Sequence, residues 1–134
     1  MTGLVLKLGP GERILINGAV IENGDRRSRL NIVSPNAHIL RLRDAIHPDE
    51  VTSPVRRVCY LAQLVLSGDA DPDEARRQLL VGIEQLSQVF TDRDSRLLLA
   101  DATTAVAGSQ FYPALKSLRA LMPREDRLLA AGSA

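Results

Sequence analysis

The chain changes its hydrophobic rhythm near residue 50. Ahead of that point apolar residues recur at every second position, and turn dipeptides interrupt them. Leu4, Leu6 and Leu8 alternate with Val5 and Lys7, which predicts a first strand with the leucines on one face. Gly9-Pro10-Gly11 predicts a turn, residues 13–16 a second strand, and Asn17-Gly18 the tight turn into a third strand at 19–22. After Asn23-Gly24-Asp25 comes a fourth strand over 28–33, with Leu30 and Ile32 on one face and Arg29 and Asn31 on the other. Pro35-Asn36 turns the chain into a fifth strand over 38–42, where His38, Leu40 and Leu42 alternate against Ile39 and Arg41. These segments together predict a small, mostly antiparallel sheet.

From Ser53 the period becomes helical. Ser53 is placed to cap a helix whose first position is Pro54, where a missing N–H costs nothing. Val55, Val58, Cys59, Ala62, Leu64, Val65 and Leu66 make this helix broadly apolar up to a stop at Gly68. Asp71-Pro72-Asp73-Glu74 repeats the cap-and-proline start, followed by a stripe of Ala75, Leu79, Ile83, Leu86 and Phe90. A third helix is expected from Thr91, carrying Leu97, Leu98, Ala102, Ala105 and Val106 and ending near Gly108. A fourth over 111–122 carries Leu115, Leu118 and Leu121, and Pro123 breaks or kinks it before Leu128-Leu129. Short links favour antiparallel neighbours. The fold class is α+β: a small antiparallel N-terminal β-sheet followed by a C-terminal bundle of about four α-helices. Residues 1–50 form the β-rich subdomain and 51–134 the helical one.

Composition adds constraints. At 134 residues, 45% apolar and 25% charged, the chain has an ordinary globular balance, and with no Trp its core must be aliphatic. The single cysteine, Cys59, has no partner for an internal disulfide, so a reduced cytoplasmic setting is the simplest expectation. No run approaches the roughly 20 apolar residues of a membrane span. Lys7 and Gly9-Pro10-Gly11 cut the apolar opening short of a secretory signal.

The inventory for catalysis is thin. His38 lies in a strand and His47 beside Pro48, with no paired histidine at ligand spacing. His47, Asp49 and Glu50 read as a polar connector, and Cys59 as a small apolar residue on a helix face. Gly9-Pro10-Gly11 lacks the Lys-Ser/Thr end of a phosphate loop. The expectation is a non-enzyme with no metal and no cofactor.

Charge is more informative in its distribution than in its net value of +1. Arg26, Arg27, Arg29, Arg41 and Arg43 crowd one stretch, offset locally by Asp25 and Asp44. Such a cluster is ordinarily a solvated face, and otherwise the electrostatic footprint of a nucleic acid. No Phe, Tyr or Trp precedes Tyr60, so the sheet offers no stacking platform for bases. Arg56 and Arg57 fall in the first turn after Pro54, where the helix dipole disfavours cations, which points either to an acid from a partner or from within the chain or to side chains that snorkel along the surface.

Three blocks in order carry a resemblance. Leu6-Lys7-Leu8-Gly9-Pro10-Gly11-Glu12-Arg13 with Ile16-Asn17-Gly18-Ala19-Val20-Ile21-Glu22-Asn23-Gly24-Asp25-Arg26-Arg27 is the first. Pro48-Asp49-Glu50-Val51-Thr52-Ser53-Pro54-Val55-Arg56-Arg57-Val58-Cys59-Tyr60 is the second. Phe111-Tyr112-Pro113-Ala114-Leu115-Lys116-Ser117-Leu118-Arg119-Ala120-Leu121-Met122-Pro123 is the third. Together they resemble the flagellar biosynthesis repressor FlbT family over nearly the whole chain. The resemblance implies a post-transcriptional regulator that binds the 5′ untranslated leader of flagellin mRNA, represses its translation and promotes its decay. It also implies functional coupling to a FlaF-type regulator. Gly11-Glu12-Arg13-Ile14-Leu15-Ile16, Arg29-Leu30-Asn31-Ile32-Val33-Ser34-Pro35 and Arg41-Leu42-Arg43-Asp44-Ala45-Ile46 give the N-terminal half a fainter likeness to the carbon storage regulator CsrA, a β dimer that carries RNA on its strand edges. That likeness admits a homodimer here. With the resemblance, Lys7, Arg13, Arg26, Arg27, Arg29, Arg41 and Arg43 become the expected RNA-contacting set. Arg56, Arg57, Phe111, Tyr112 and Leu115 become the expected partner-binding set. The alternative is a protein-interaction or chaperone-like assembly factor acting on flagellin or FlaF, with indirect effects on RNA.

Overall fold

The computed structural model describes residues 4–17, 19–41 and 45–132. Gly18 of the expected tight turn, Leu42 at the end of the expected fifth strand, and Arg43 lie outside the described residues. The chain divides into two compact units, Met1–Ala45 and Ile46–Ala134.

The first unit is made of β1 (Leu4–Leu8), β2 (Arg13–Ile16), β3 (Ala19–Glu22), β4 (Ser28–Ile32) and β5 (Ile39–Arg41). All pairings are antiparallel, and they form two small sheets, β1–β4 and β3–β2–β5, rather than one. The register explains the split. β1 pairs Leu4 with Ile32 and Leu6 with Leu30, so the apolar faces of both strands coincide. β2 instead takes its hairpin neighbour β3 and then β5. Leu6, Leu8 and Ile14 are buried together, with Ile16, Leu30, Ile32 and Ile39 packed against them. Asn17 adopts φ 51°, a left-handed conformation that asparagine tolerates. Its side-chain oxygen accepts from the His38 N–H at 2.9 Å, and its own N–H donates to the His38 carbonyl at 2.9 Å. His38 therefore locks the start of β5 instead of lying inside the strand.

The second unit opens with a 3-10 turn at Pro48–Glu50, then α1 (Pro54–Leu66), α2 (Pro72–Ser87), α3 (Arg93–Ala107), α4 (Phe111–Arg119) and α5 (Met122–Gly132). α1 packs on α2 and α4, and α3 packs on α2 and α4, so four helices close a ring, while α5 lies against α1. Polar contacts show the antiparallel sense. Arg76 at the start of α2 reaches Ser109 beyond the end of α3, and Arg124 beyond the end of α4 reaches Asp92 at the start of α3, each at 3.0 Å.

Caps begin three of these helices as the sequence predicts or nearly so. The Ser53 hydroxyl accepts from the Arg56 N–H, and the Asp71 carboxylate from that of Glu74. α3 starts at Arg93 with Asp92 as its cap, not at Thr91, because the Asp92 carboxylate accepts from the Ser95 N–H at 3.0 Å. The buried stripe of α3 is also rotated from the expected one, to Ser95, Leu99, Ala102 and Val106, leaving Leu97 exposed. The fourth helical segment is broken as Pro123 requires. It becomes α4 and α5, with Pro123 in the first turn of α5, where proline is tolerated.

Candidate nucleic-acid interface

Lys7 and Arg29 stand directly opposite each other on the β1–β4 ladder, both exposed. Side chains so paired are about 5 Å apart at Cβ, and like charges there are destabilising. Arg27, one residue before β4, joins them. The three cations, with Leu8, Gly9 and Ser28, line an open hollow of about 490 Å³ that has no acidic side chain in its wall among the described residues.

The rim of this hollow is fixed by a residue that sequence reasoning placed only in a turn. The Asn23 side-chain amide is within hydrogen-bond distance of the Gly9 carbonyl at 2.7 Å, the Arg26 carbonyl at 3.0 Å and the Leu8 carbonyl at 3.3 Å. Its oxygen accepts from the Ser28 hydroxyl at 2.6 Å. One side chain thus ties the end of β1 to the start of β4, between which Lys7, Arg27 and Arg29 sit. Glu12 holds the neighbouring turn, accepting from the Gly9 N–H at 3.0 Å. No periodic or compositional signal marks Asn23 as this hub, because its partners are up to 15 residues away.

Of the other described arginines of the expected RNA set, Arg41 and Arg13 are paired with acids and Arg26 is not. Arg41 pairs with Glu12 at 2.5 Å, both side chains about 20% exposed, and points a second nitrogen at the Lys7 carbonyl at 3.4 Å. It braces β5 against the turn, since a half-buried guanidinium needs its acid. Arg13 forms an exposed cross-strand pair with Glu22 at 2.7 Å on the other sheet. Arg26 is exposed on the turn, outside the wall of the hollow.

In the helical unit, the expected partner-binding residues separate. Phe111 and Leu115 are core, Leu115 only 2% exposed, because α4 turns this face toward α1 and α3. The apolar stripe of α4 is therefore not an outer surface, and Tyr112 beside it is half-buried. Arg56 finds an acid within the chain. It donates to Asp126 at 2.9 and 3.3 Å and to Glu125 at 3.4 Å. The hydrogen bond to Asp126 holds the guanidinium in its charged form above its ordinary pKa and pulls the Asp126 carboxyl below its own. Arg57 remains exposed, with no acid paired to it among the described residues.

Cys59 is fully buried, and desolvation pushes its thiol up to about 12. Glu50 accepts from the His47 N–H at 3.0 Å. Among the described residues no three His, Cys, Asp or Glu side chains converge as metal ligands. No helix among them is long and apolar enough to cross a membrane.

Fold and site define a two-unit α+β protein with a cation-lined hollow on its sheet unit. Residues 4–129 match the family model described as flagellar protein FlbT, and the chain belongs to that family. A relative in Chelativorans sp. (strain BNC1), "Probable flagellum biosynthesis repressor protein FlbT", is 33% identical over 129 residues, covering 95% of this chain and 86% of the relative. The "Flagellum biosynthesis repressor protein FlbT" of Caulobacter vibrioides (strain ATCC 19089 / CIP 103742 / CB 15) is 30% identical over 129 residues, covering 94% and 89%. A further relative in Caulobacter sp. (strain K31), "Probable flagellum biosynthesis repressor protein FlbT", is 30% identical over 126 residues, covering 94% and 95%. No solved structure matches the chain significantly.

Proposed function

We propose that this chain acts in the cytoplasm as a regulator of flagellum biosynthesis. It binds the 5′ untranslated leader of flagellin mRNA, represses translation and promotes decay of the message. The observation that carries this reading is the facing pair of Lys7 and Arg29, joined by Arg27 around a hollow whose described wall holds no acidic side chain. Two like charges in register cost the fold stability, and a phosphate between them turns that repulsion into attraction. Arginine suits the role, because its planar fork clasps phosphate oxygens in pairs. With no aromatic side chain in the sheet unit, contact is to the RNA backbone and not by base stacking.

Backbone contact sets the salt dependence. Each single-strand phosphate neutralised contributes a slope of about 0.7 in log affinity against log salt. Three contacts give a slope near 2, so raising salt from 50 to 200 mM weakens binding roughly twentyfold. A homodimer or a FlaF-type partner on the same leader would steepen it. The test is a gel shift of the purified protein on its flagellin leader and on an unrelated leader at those two salt concentrations. Selective binding that weakens with salt and collapses in Lys7→Ala/Arg27→Ala/Arg29→Ala supports the reading. Binding untouched by the triple substitution overturns it.

A second reading has one observation in its favour. In it the helical unit grips a flagellar protein and effects on RNA are indirect. The observation is an apolar groove between α1 and α2.

A further inference from the structure

α1 and α2 approach so closely at one point that a side chain beyond glycine would push its neighbour aside. A Cβ on Gly82 would lie 2.5 Å from Cγ1 of Val58. On the outer side of this contact the two helices leave a groove of about 580 Å³. One wall is the α1 line of Arg57, Leu61 and Leu64, at the i, i+4, i+7 spacing of a single helix face. The other wall is Gln78 and Gln85 of α2 with Val89 in the turn just past its end. Leu61 and Leu64 are half-buried and Val89 is exposed.

The groove has a charge polarity. No acidic side chain lines it among the described residues, and its only charged side chain is Arg57, at the α1 end. Arg57 is the fourth residue of α1, where the amino-terminal dipole already presents positive potential. The neighbouring Arg56 is neutralised by Asp126 and Glu125, and Arg57 pairs with no acid among the described residues. From Gln78 to the end of α2 at Ser87 the α2 wall runs about 14 Å, between two and three helical turns, and Val89 extends it.

We infer that this groove binds an amphipathic helix of another protein. That helix contributes about 11 residues, with apolar side chains at i, i+4 and i+7 and an Asp or Glu at the end that lies over Arg57. The apolar face covers Leu61, Leu64 and Val89, and the carboxylate supplies the charge that Arg57 lacks. Helix-in-groove recognition of this kind reads its ligand through such anchors. The inference stands on the helical unit alone and is independent of the RNA reading.

The test uses the full chain and two fluorescein-labelled, helix-stapled 14-residue peptides. Both carry leucines at i, i+4 and i+7; one ends in a Glu pair and the other in a Lys pair. Fluorescence anisotropy should show the Glu peptide binding at least tenfold tighter than the Lys peptide. Arg57→Glu should reverse that order, and it should not harm the fold, since an acid in the first turn of a helix is favourable. Leu61→Glu should abolish binding of both. Equal binding of the two peptides, binding that survives Leu61→Glu, or no binding of either peptide at millimolar concentration overturns the inference. A concentration-dependent dimer in sedimentation that Leu61→Glu dissolves gives the groove to a second copy. Photo-crosslinking of leader RNA to Tyr60 gives it to RNA. Either outcome also overturns the inference.

Discussion

Glu125 is the acid on which the helical unit turns, and replacing it with alanine is the most informative single change. The residue is 5% exposed, and its carboxylate accepts from the Ser53 hydroxyl, from the Val55 N–H at 2.9 Å and from Arg56 at 3.4 Å. Ser53 in turn caps the Arg56 N–H. One side chain from α5 therefore satisfies the start of α1, some 70 residues earlier. Glu125→Ala leaves the Val55 N–H buried without a partner, which costs about 1–3 kcal/mol. The cap hydroxyl loses its acceptor, worth about 1 kcal/mol more. Arg56 keeps Asp126, so no charge is orphaned and the larger penalty of a broken buried ion pair does not apply. The expected loss is about 3 kcal/mol. With a urea dependence of about 1.5 kcal/mol per molar, the midpoint should fall by about 2 M in unfolding followed by far-ultraviolet circular dichroism. Glu125→Gln keeps an acceptor for Val55 and should cost about half as much. A midpoint that moves less than about 0.5 M in Glu125→Ala, or equal losses in the two variants, would refute the capping argument.

Four further outcomes are expected. Lys7→Ala should raise thermal stability by a few tenths of a kcal/mol, through relief of its repulsion with Arg29, while weakening leader binding; a drop in both would mean that Lys7 is structural. Gly82→Ala sets about 1 kcal/mol of gained helix propensity against about 1–3 kcal/mol of overpacking on β-branched Val58, so a net loss near 1 kcal/mol should appear in the melting temperature. Asp92, held below its ordinary pKa chiefly by its hydrogen bonds from Ser95, and Asp126, held down by Arg56, both lose their protons more readily folded than unfolded. The stability they contribute is present at neutral pH and declines as pH falls below about 4 through the lowered folded values; Asp126→Asn should flatten that decline in a urea-midpoint series against pH. Cys59, buried and pushed up to about 12, should resist iodoacetamide at pH 8 in the native state and react fully in denaturant; rapid native labelling would show that the α1 core opens.

The sequence by itself determined the local elements, because their causes are local. Period-two leucines made β1, Ser53-Pro54 and Asp71-Pro72 started two helices, and Pro123 divided α4 from α5. It also singled out Arg56 and Arg57 as cations in the wrong place, since a helix dipole follows from position alone. Tertiary structure decided where each charge goes. Whether Arg41 faces solvent or Glu12, and whether Arg56 finds Asp126, depends on groups 29 and 70 residues away that no spacing rule connects. The same holds for α4. A stripe of Phe111, Leu115 and Leu118 shows that a face is apolar, but not whether it meets two neighbouring helices or another protein. On the sheet unit, alternation placed Lys7 and Arg29 on outward faces, but only strand pairing set them opposite each other. Periodicity within a strand carries no information about its partner's register, and the candidate site exists because of that register.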